Sequence, residues 1–246
     1  MSTRTATLAT ASRVISQLRR DPRTIALLIV VPCVLVFLVD QVLAGRPEAF
    51  QRVGVPLLGL FPLVSMFLVT SITMLRERTS GTLERLLTLP IAKLDVLLGY
   101  GIAFAAVAAV QATVVSFVGF GLLDLSVGHS KLLVVALAIA NAVLGMAMGL
   151  FSSAFARTEF QAVQFMPAFI LPQILLCGLL VPRAAMAEWL QWLSALMPFT
   201  YAYDALARAA RTTPLGPRFA LDVFVVVGVT LLALALGAGT LRRRTP

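Results

Sequence analysis

Six apolar runs, at residues 25–44, 53–75, 94–123, 132–155, 160–181 and 219–241, set the terms on which this chain can fold. A bilayer core about 30 Å thick needs about 20 apolar residues of helix to cross it, and each run is that long. Hydrophobic residues make up 59% of the 246 and charged ones only 13%, more apolar surface than one water-soluble core of this size could hide. A transmembrane barrel needs strands of about ten residues alternating apolar and polar side chains, and no such alternation is present. The expected fold class is therefore an all-α integral membrane protein with six transmembrane helices.

Six crossings put both ends of the chain on one side. On that assumption thirteen of the twenty Lys and Arg residues share the side of the termini and seven lie opposite, four of the seven in one long loop where the charge rule has less force. Both termini are expected in the cytoplasm. The net charge of +9 then reads as orientation signal and attraction to anionic headgroups, with membrane lipid as partner. No nucleic acid is expected, because the basic residues are dispersed around the spans. Eighteen of those twenty are arginine, in keeping with a GC-rich bacterial genome, and the expected location is a bacterial plasma (inner) membrane.

The first run follows a basic start, and Val42-Leu43-Ala44 loosely resembles a small-residue cleavage site. Such a leader would be unusually long and Asp40 interrupts it, so the segment is expected to be retained. Cys33 and Cys177 both fall in apolar runs, without the spacing or flanking histidines of a metal site or disulfide framework. The chain divides into an amphipathic leader (1–23), one membrane domain (24–241) and a basic tail (242–246).

In the leader, Val14, Ile15 and Leu18 share one helical face, while Arg13, Arg19 and Arg20 lie mainly on the other. That pattern fits a helix on the membrane surface, either as a plain basic anchor or also touching a cytoplasmic partner. Asp21-Pro22 should end it and turn the chain into the bilayer. Between the fifth and sixth runs, Trp189, Trp192, Leu193 and Leu196 form a stripe on a segment too short to cross. It is expected to lie in the outer interface or to dip in and return, and Tyr201 to Arg208 reads as a second short helix.

Ionisable groups are nearly absent from the runs, whereas ion-coupled carriers usually keep them near the midplane. Neutral polar residues are present instead. Ser65, Thr70, Gln161, Gln164 and Gln173 are candidates for a substrate path, against the plainer reading that they hydrogen-bond neighbouring helices as Gln111 and Asn141 also could.

The most charged interruption is Arg76-Glu77-Arg78-Thr79-Ser80-Gly81-Thr82-Leu83-Glu84-Arg85-Leu86-Leu87-Thr88-Leu89-Pro90, between the second and third runs. Leu83, Leu86 and Leu87 recur at helical spacing, with Glu84 and Arg85 on the more polar side. Gly81 permits a tight entry, Glu84 suits the positive end of the helix dipole, and Pro90 should stop the helix. A short amphipathic helix here must bury its stripe in lipid, in its own protein or in a partner.

Glu77-Arg78-Thr79-Ser80-Gly81-Thr82-Leu83-Glu84-Arg85-Leu86 followed by Pro90 resembles the cytoplasmic loop of the ABC-2 type family of ABC transporter permeases: a carboxylate, a short gap, Gly-Thr, a Leu-rich helix and proline. Gly178-Leu179-Leu180-Val181-Pro182, Trp189-Leu190 and Met197-Pro198-Phe199-Thr200-Tyr201-Ala202-Tyr203-Asp204-Ala205-Leu206-Ala207-Arg208 resemble the family's external segment. The likeness covers nearly the whole chain. It implies a six-helix permease that joins a second permease subunit, identical or different, and two copies of a cytoplasmic ABC ATPase, moving substrate outward. The compact form looks most like the drug-resistance branch. On that likeness Glu77, Gly81, Thr82, Leu83, Glu84, Arg85, Leu86 and Pro90 form or flank the coupling helix. The 13–20 helix resembles the family's interfacial helix, and Pro198, Thr200, Tyr201, Asp204 and Arg208 shape an external gate unless they serve loop folding alone.

The chain has no Gly-x-x-x-x-Gly-Lys-Ser/Thr phosphate loop, so ATP and Mg belong on the partner ATPase and this chain is expected to bind no cofactor of its own. No catalytic residue and no metal ligand are assigned. A membrane-embedded lipid-modifying enzyme would need clustered carboxylates, a metal set or a nucleophile with a base, and the one histidine, His129, lies in a short loop near Asp124. A non-transporting scaffold that recruits a cytoplasmic protein is the third class. An apolar interior with neutral polar groups suits a hydrophobic or amphipathic cargo.

Overall fold

The computed structural model of the chain describes residues 3–82 and 93–240. Those residues form helices α1 (Thr3–Arg19), α2 (Pro22–Val42), α3 (Pro47–Thr79), α4 (Lys93–Gly121), α5 (Lys131–Ser152), α6 (Glu159–Leu176), α7 (Glu188–Ala195), α8 (Pro198–Ala210) and α9 (Pro217–Gly239), with a 3-10 turn at Arg183–Ala185. Among them, α2, α3, α5, α9 and the Leu98–Gly121 part of α4 are long and apolar enough to cross a membrane. Helix α6, which carries the fifth expected run, stops at Leu176 and includes Gln161, Gln164, Gln173, Pro167 and Pro172.

Prolines and small polar residues set the helix boundaries. Pro22, Pro47, Pro198 and Pro217 open α2, α3, α8 and α9, where a missing donor is tolerated. Asp21 caps α2: its side chain accepts from the Thr24 amide at 3.2 Å and the Thr24 hydroxyl at 2.6 Å. Those hydrogen bonds hold the Asp21 carboxyl below its ordinary pKa. After α6, Gly178 takes φ +100, a left-handed conformation that suits glycine.

Helices α3 and α5 form the centre and bury the most surface, while α2 and α9 leave most of theirs open. Close approach at the centre depends on Gly145 and Gly149 of α5. A Cβ at Gly145 would run into the Leu63 carbonyl, and one at Gly149 would meet Phe67 backbone and the Thr70 hydroxyl. Small residues four apart let two backbones approach where lipid supplies no hydrophobic drive between helices. At 33 residues α3 is about 50 Å long, well beyond the roughly 30 Å bilayer core, so part of it must lie outside the apolar layer.

The leader helix buries its apolar stripe in the chain's own fold. Ala11, Val14 and Leu18 are buried in one cluster with Val96, Tyr100 and Phe104 of α4, and a Cβ at Gly99 would strike Thr10. Arg19 and Arg20 are exposed, as the helical pattern requires, whereas Arg13 turns inward. The two short helices after α6 differ in kind. Helix α7 holds Trp189 and Trp192 out at 67% and 72% exposure, while α8 buries seven side chains including Phe199, Tyr203 and Leu206.

Candidate functional site

The end of α3 bears three consecutive charged residues, and each is held by a different helix. Arg13 of α1 donates through Nη2 to the Tyr100 hydroxyl of α4, lies 3.6 Å from Glu77 Oε2, and places its guanidinium carbon 5.5 Å from the Tyr100 ring centroid. Glu77 is 8% exposed and Tyr100 fully buried, so this contact is shielded from solvent. Arg76 makes a two-pronged bridge to Glu159 at the start of α6, Nε to Oε1 at 2.8 Å and Nη2 to Oε2 at 2.9 Å. Arg78 donates to the Thr240 hydroxyl, just past the end of α9, at 3.1 Å. The Arg76 bridge is exposed and contributes order more than energy; the Glu77 contact is the one sheltered enough to resist being lost to water.

The chain then leaves α3 through Ser80, whose hydroxyl lies 3.0 Å from that of Thr82, and Gly81 at φ +72. Of the expected coupling residues, Glu77, Gly81 and Thr82 are thus placed at the root of the loop. Leu83, Glu84, Arg85, Leu86 and Pro90 lie outside the described residues.

Beside this root a groove of about 570 Å³ runs between α1, α2 and α3. Leu27, Leu28, Val31, Leu68, Val69 and Ile72 give it an apolar wall, and Asp21, Thr24, Arg76 and Glu77 gather at the end nearest the charged loop. Of the five residues expected on a substrate path, Ser65 lines it. Its hydroxyl receives Gln111 Nε2 at 2.5 Å, and the same nitrogen donates to the Leu28 carbonyl at 2.7 Å, joining α2, α3 and α4. Thr70 is buried and bridges to the Met146 carbonyl of α5 at 3.2 Å. Gln173 donates to the Phe169 carbonyl at 2.7 Å, Gln161 accepts from the Arg157 amide at 2.8 Å, and Gln164 is exposed on α6. Thr70 and Gln111 therefore do the interhelical bonding that their sequence context allowed, as does Asn141, whose Nδ2 donates to the Ala202 carbonyl at 3.1 Å.

At the opposite end of the bundle, the five expected gate residues come together on α8. Pro198 starts the helix, Thr200 donates to the Ser194 carbonyl at 2.7 Å, and the Tyr201 hydroxyl donates to the Ala195 carbonyl at 2.7 Å. Asp204 accepts from Arg183 and lies 3.8 Å from Arg208, which donates through Nε to Asp222 of α9 at 2.8 Å. Burial pushes the Asp204 carboxyl above its ordinary pKa, against the pull of Arg183, Arg208 and Arg211. Thr200 and Tyr201 thus fold the α7–α8 corner, and Asp204 and Arg208 fasten it to α9.

Sequence reasoning did not find Tyr100, Glu159, Thr240, Arg183 or Asp222. Tyr100 and Arg13 are 87 positions apart, and no local spacing joins them. Asp222 carried a faint signal, as an acid inside the start of an apolar run.

A bundle whose described residues are helical, with several apolar spans, charged residues gathered at its two ends and an amphipathic leader packed against it, is a multi-pass membrane protein. The chain belongs to the ABC-2 type transporter family, whose pattern matches residues 5–209. It is 29% identical over 147 residues to the probable multidrug ABC transporter permease YbhR of Escherichia coli K12, an alignment covering 58% of this chain and 40% of that protein. The same figures hold for YbhR of Escherichia coli O157:H7. It is 25% identical over 138 residues to ABC transporter G family member 20 of Dictyostelium discoideum, covering 56% of this chain and 19% of the relative. The chain thus matches less than half the length of these curated relatives.

Proposed function

We propose that this chain is the membrane subunit of an ATP-driven exporter for a hydrophobic or amphipathic substrate, with the energy supplied by two copies of a separate ABC ATPase. The observation that carries the reading is the root of the charged loop, where Arg76, Glu77 and Arg78 are tied to α6, α1 with α4, and the end of α9. A push on that loop from a soluble engine reaches several helices at once, which is what turning ATP-driven closure into movement of a membrane pathway requires. In this reading the coupling helix runs from Thr82 to Leu89 and stops at Pro90, with Leu83 and Leu86 as packing anchors and Glu84 and Arg85 setting register.

Helix α6 completes six spans, its exposed Gln164 turned to a second permease subunit or to cargo. The termini and charged loop face the cytoplasm of a bacterial cell. The groove beside α2 and α3 supports an amphipathic cargo, since an apolar wall ending in charged groups matches a molecule with a polar head. The word "multidrug" in the name of the Escherichia coli relatives favours the drug-export branch.

The test is reconstitution with the ABC ATPase that co-purifies with the chain. ATP-dependent efflux of an amphipathic dye from proteoliposomes is expected, with Glu84→Arg and Leu86→Asp abolishing efflux while membrane insertion and ATP hydrolysis persist. Unchanged efflux in both variants would remove the coupling role, and efflux by the chain alone would remove the ATPase.

A further inference from the structure

The end of the bundle away from the charged loop carries a second cavity, of about 270 Å³, lined by Gln51 and Arg52 of α3, Ser126 of the α4–α5 loop, and Tyr203, Ala207 and Arg211 at and after α8. It lies about 40 Å along α3 from Glu77, at 1.5 Å per residue. Its walls are fixed. Gln51 Nε2 donates to the Asp124 carbonyl at 3.1 Å, while its Oε1 accepts from the Ser126 amide at 2.9 Å and the Ser126 hydroxyl at 3.0 Å. The Gly128 amide donates to the Ala210 carbonyl at 2.9 Å, and a Cβ at Gly128 would overlap the Arg211 backbone.

Charge distinguishes this cavity from the rest of the same end. Arg183 and Arg208 are neutralised there by Asp204 and Asp222. Arg52 and Arg211 have no carboxylate within 4 Å among the described residues, although Asp204 is near enough to Arg211 to feel its charge. The Tyr203 hydroxyl has no hydrogen-bond partner among the described residues; both guanidiniums act on it electrostatically, opposed in part by the Asp204 carboxylate, which is itself engaged by Arg183 and Arg208. Two cations and a phenol donor thus share one pocket, which, with the charged loop in the cytoplasm as proposed above, lies on the side of the membrane where basic residues are ordinarily avoided. Guanidinium pairs match phosphate oxygens in a two-pronged geometry, and the volume has room for a phosphate with a small attached group but is under the usual range for a drug-sized ligand.

We infer that Arg52, Arg211 and Tyr203 form a phosphate-binding site at the external end of the protein. The phosphate belongs to an outer-leaflet lipid headgroup or to a soluble phosphate, and both would meet the same three donors.

The full chain is placed in nanodiscs and probed two ways. In discs containing phosphatidylglycerol, native mass spectrometry counts lipid retained after release; in neutral phosphatidylcholine discs, inorganic phosphate is titrated and Tm recorded. Loss of one two-pronged charge-assisted contact weakens binding by roughly tenfold, so Arg52→Gln with Arg211→Gln is expected to cut retention or the phosphate-dependent Tm rise at least that much. Tyr203→Phe, which keeps the buried ring, is expected to weaken it by a few-fold. Lys131→Gln, a basic residue at the same end outside the pocket, should change neither. A response confined to phosphatidylglycerol identifies the lipid headgroup, and one to inorganic phosphate in neutral discs identifies the soluble anion. If neither probe separates the wild type from Arg52→Gln/Arg211→Gln and Tyr203→Phe, with the unliganded Tm of each intact, the site does not exist.

Discussion

Glu77 shows how one side chain's role depends on neighbours far away in sequence. The charged loop's composition presents it as a group available to a partner, yet it is 8% exposed and faces Arg13 and Tyr100 within its own chain. Removing one member of a sheltered charged contact leaves the other desolvated, a loss of about 1–3 kcal/mol. Glu77→Gln and Arg13→Gln should each lower Tm, and the double variant should lose less than the sum, which a double-mutant cycle in detergent measures directly. Additive losses would show that the two side chains do not interact. Gln111 makes a comparable case inside the bilayer: replacing it with Leu breaks its bonds to Leu28 and Ser65, for an expected loss of about 0.6–1.7 kcal/mol read from the same unfolding curves.

At the scale of elements, the contact of α3 with α5 organises everything around it. Gly145→Leu would force the Leu63 backbone away, with an expected destabilisation of about 1–3 kcal/mol or more, whereas Gly101→Ala on α4, which has open space around it, should be neutral or slightly stabilising. Thermal unfolding of both variants separates a packing effect from a general glycine effect. Helix α8 makes the complementary point. Its sequence reads as the second half of an external interfacial pair, but Asn141 binds its backbone and Leu206 fits over Gly59, so it is built into the bundle while α7 stays at the surface. The difference is visible in the side chains each can bury: alanines and aromatics on one face of α8, two large indoles on α7.

For the whole molecule, the ends of α3 divide the labour. One end roots the charged loop and the other frames the Arg52–Arg211 cavity, with an apolar stretch between them. If the loop is cytoplasmic, a membrane-impermeant maleimide applied to intact cells should label Thr212→Cys and spare Ser80→Cys, in a chain whose Cys33 and Cys177 have been replaced by Ala. The reverse pattern would overturn the orientation. Both positions are exposed on the chain itself, and labelling of Ser80→Cys once the cells are permeabilised and the membranes stripped of bound partner shows that the side of the membrane alone spared it.

Sequence by itself determined that the chain is helical and membrane-bound, roughly where the helices run, and which segment is charged enough to meet a soluble partner. Those features are local: in lipid each spanning backbone must satisfy its own hydrogen bonds, so a long apolar run becomes a helix whatever lies beside it. Tertiary structure decided that the leader's apolar face is spent on α4, that Arg76, Glu77 and Arg78 each hold a different helix, and that Arg52 meets Arg211 across a cavity. Such pairings depend on which helices become neighbours. That choice is made by close contacts such as Leu63 against Gly145, between residues that no periodicity along the chain relates.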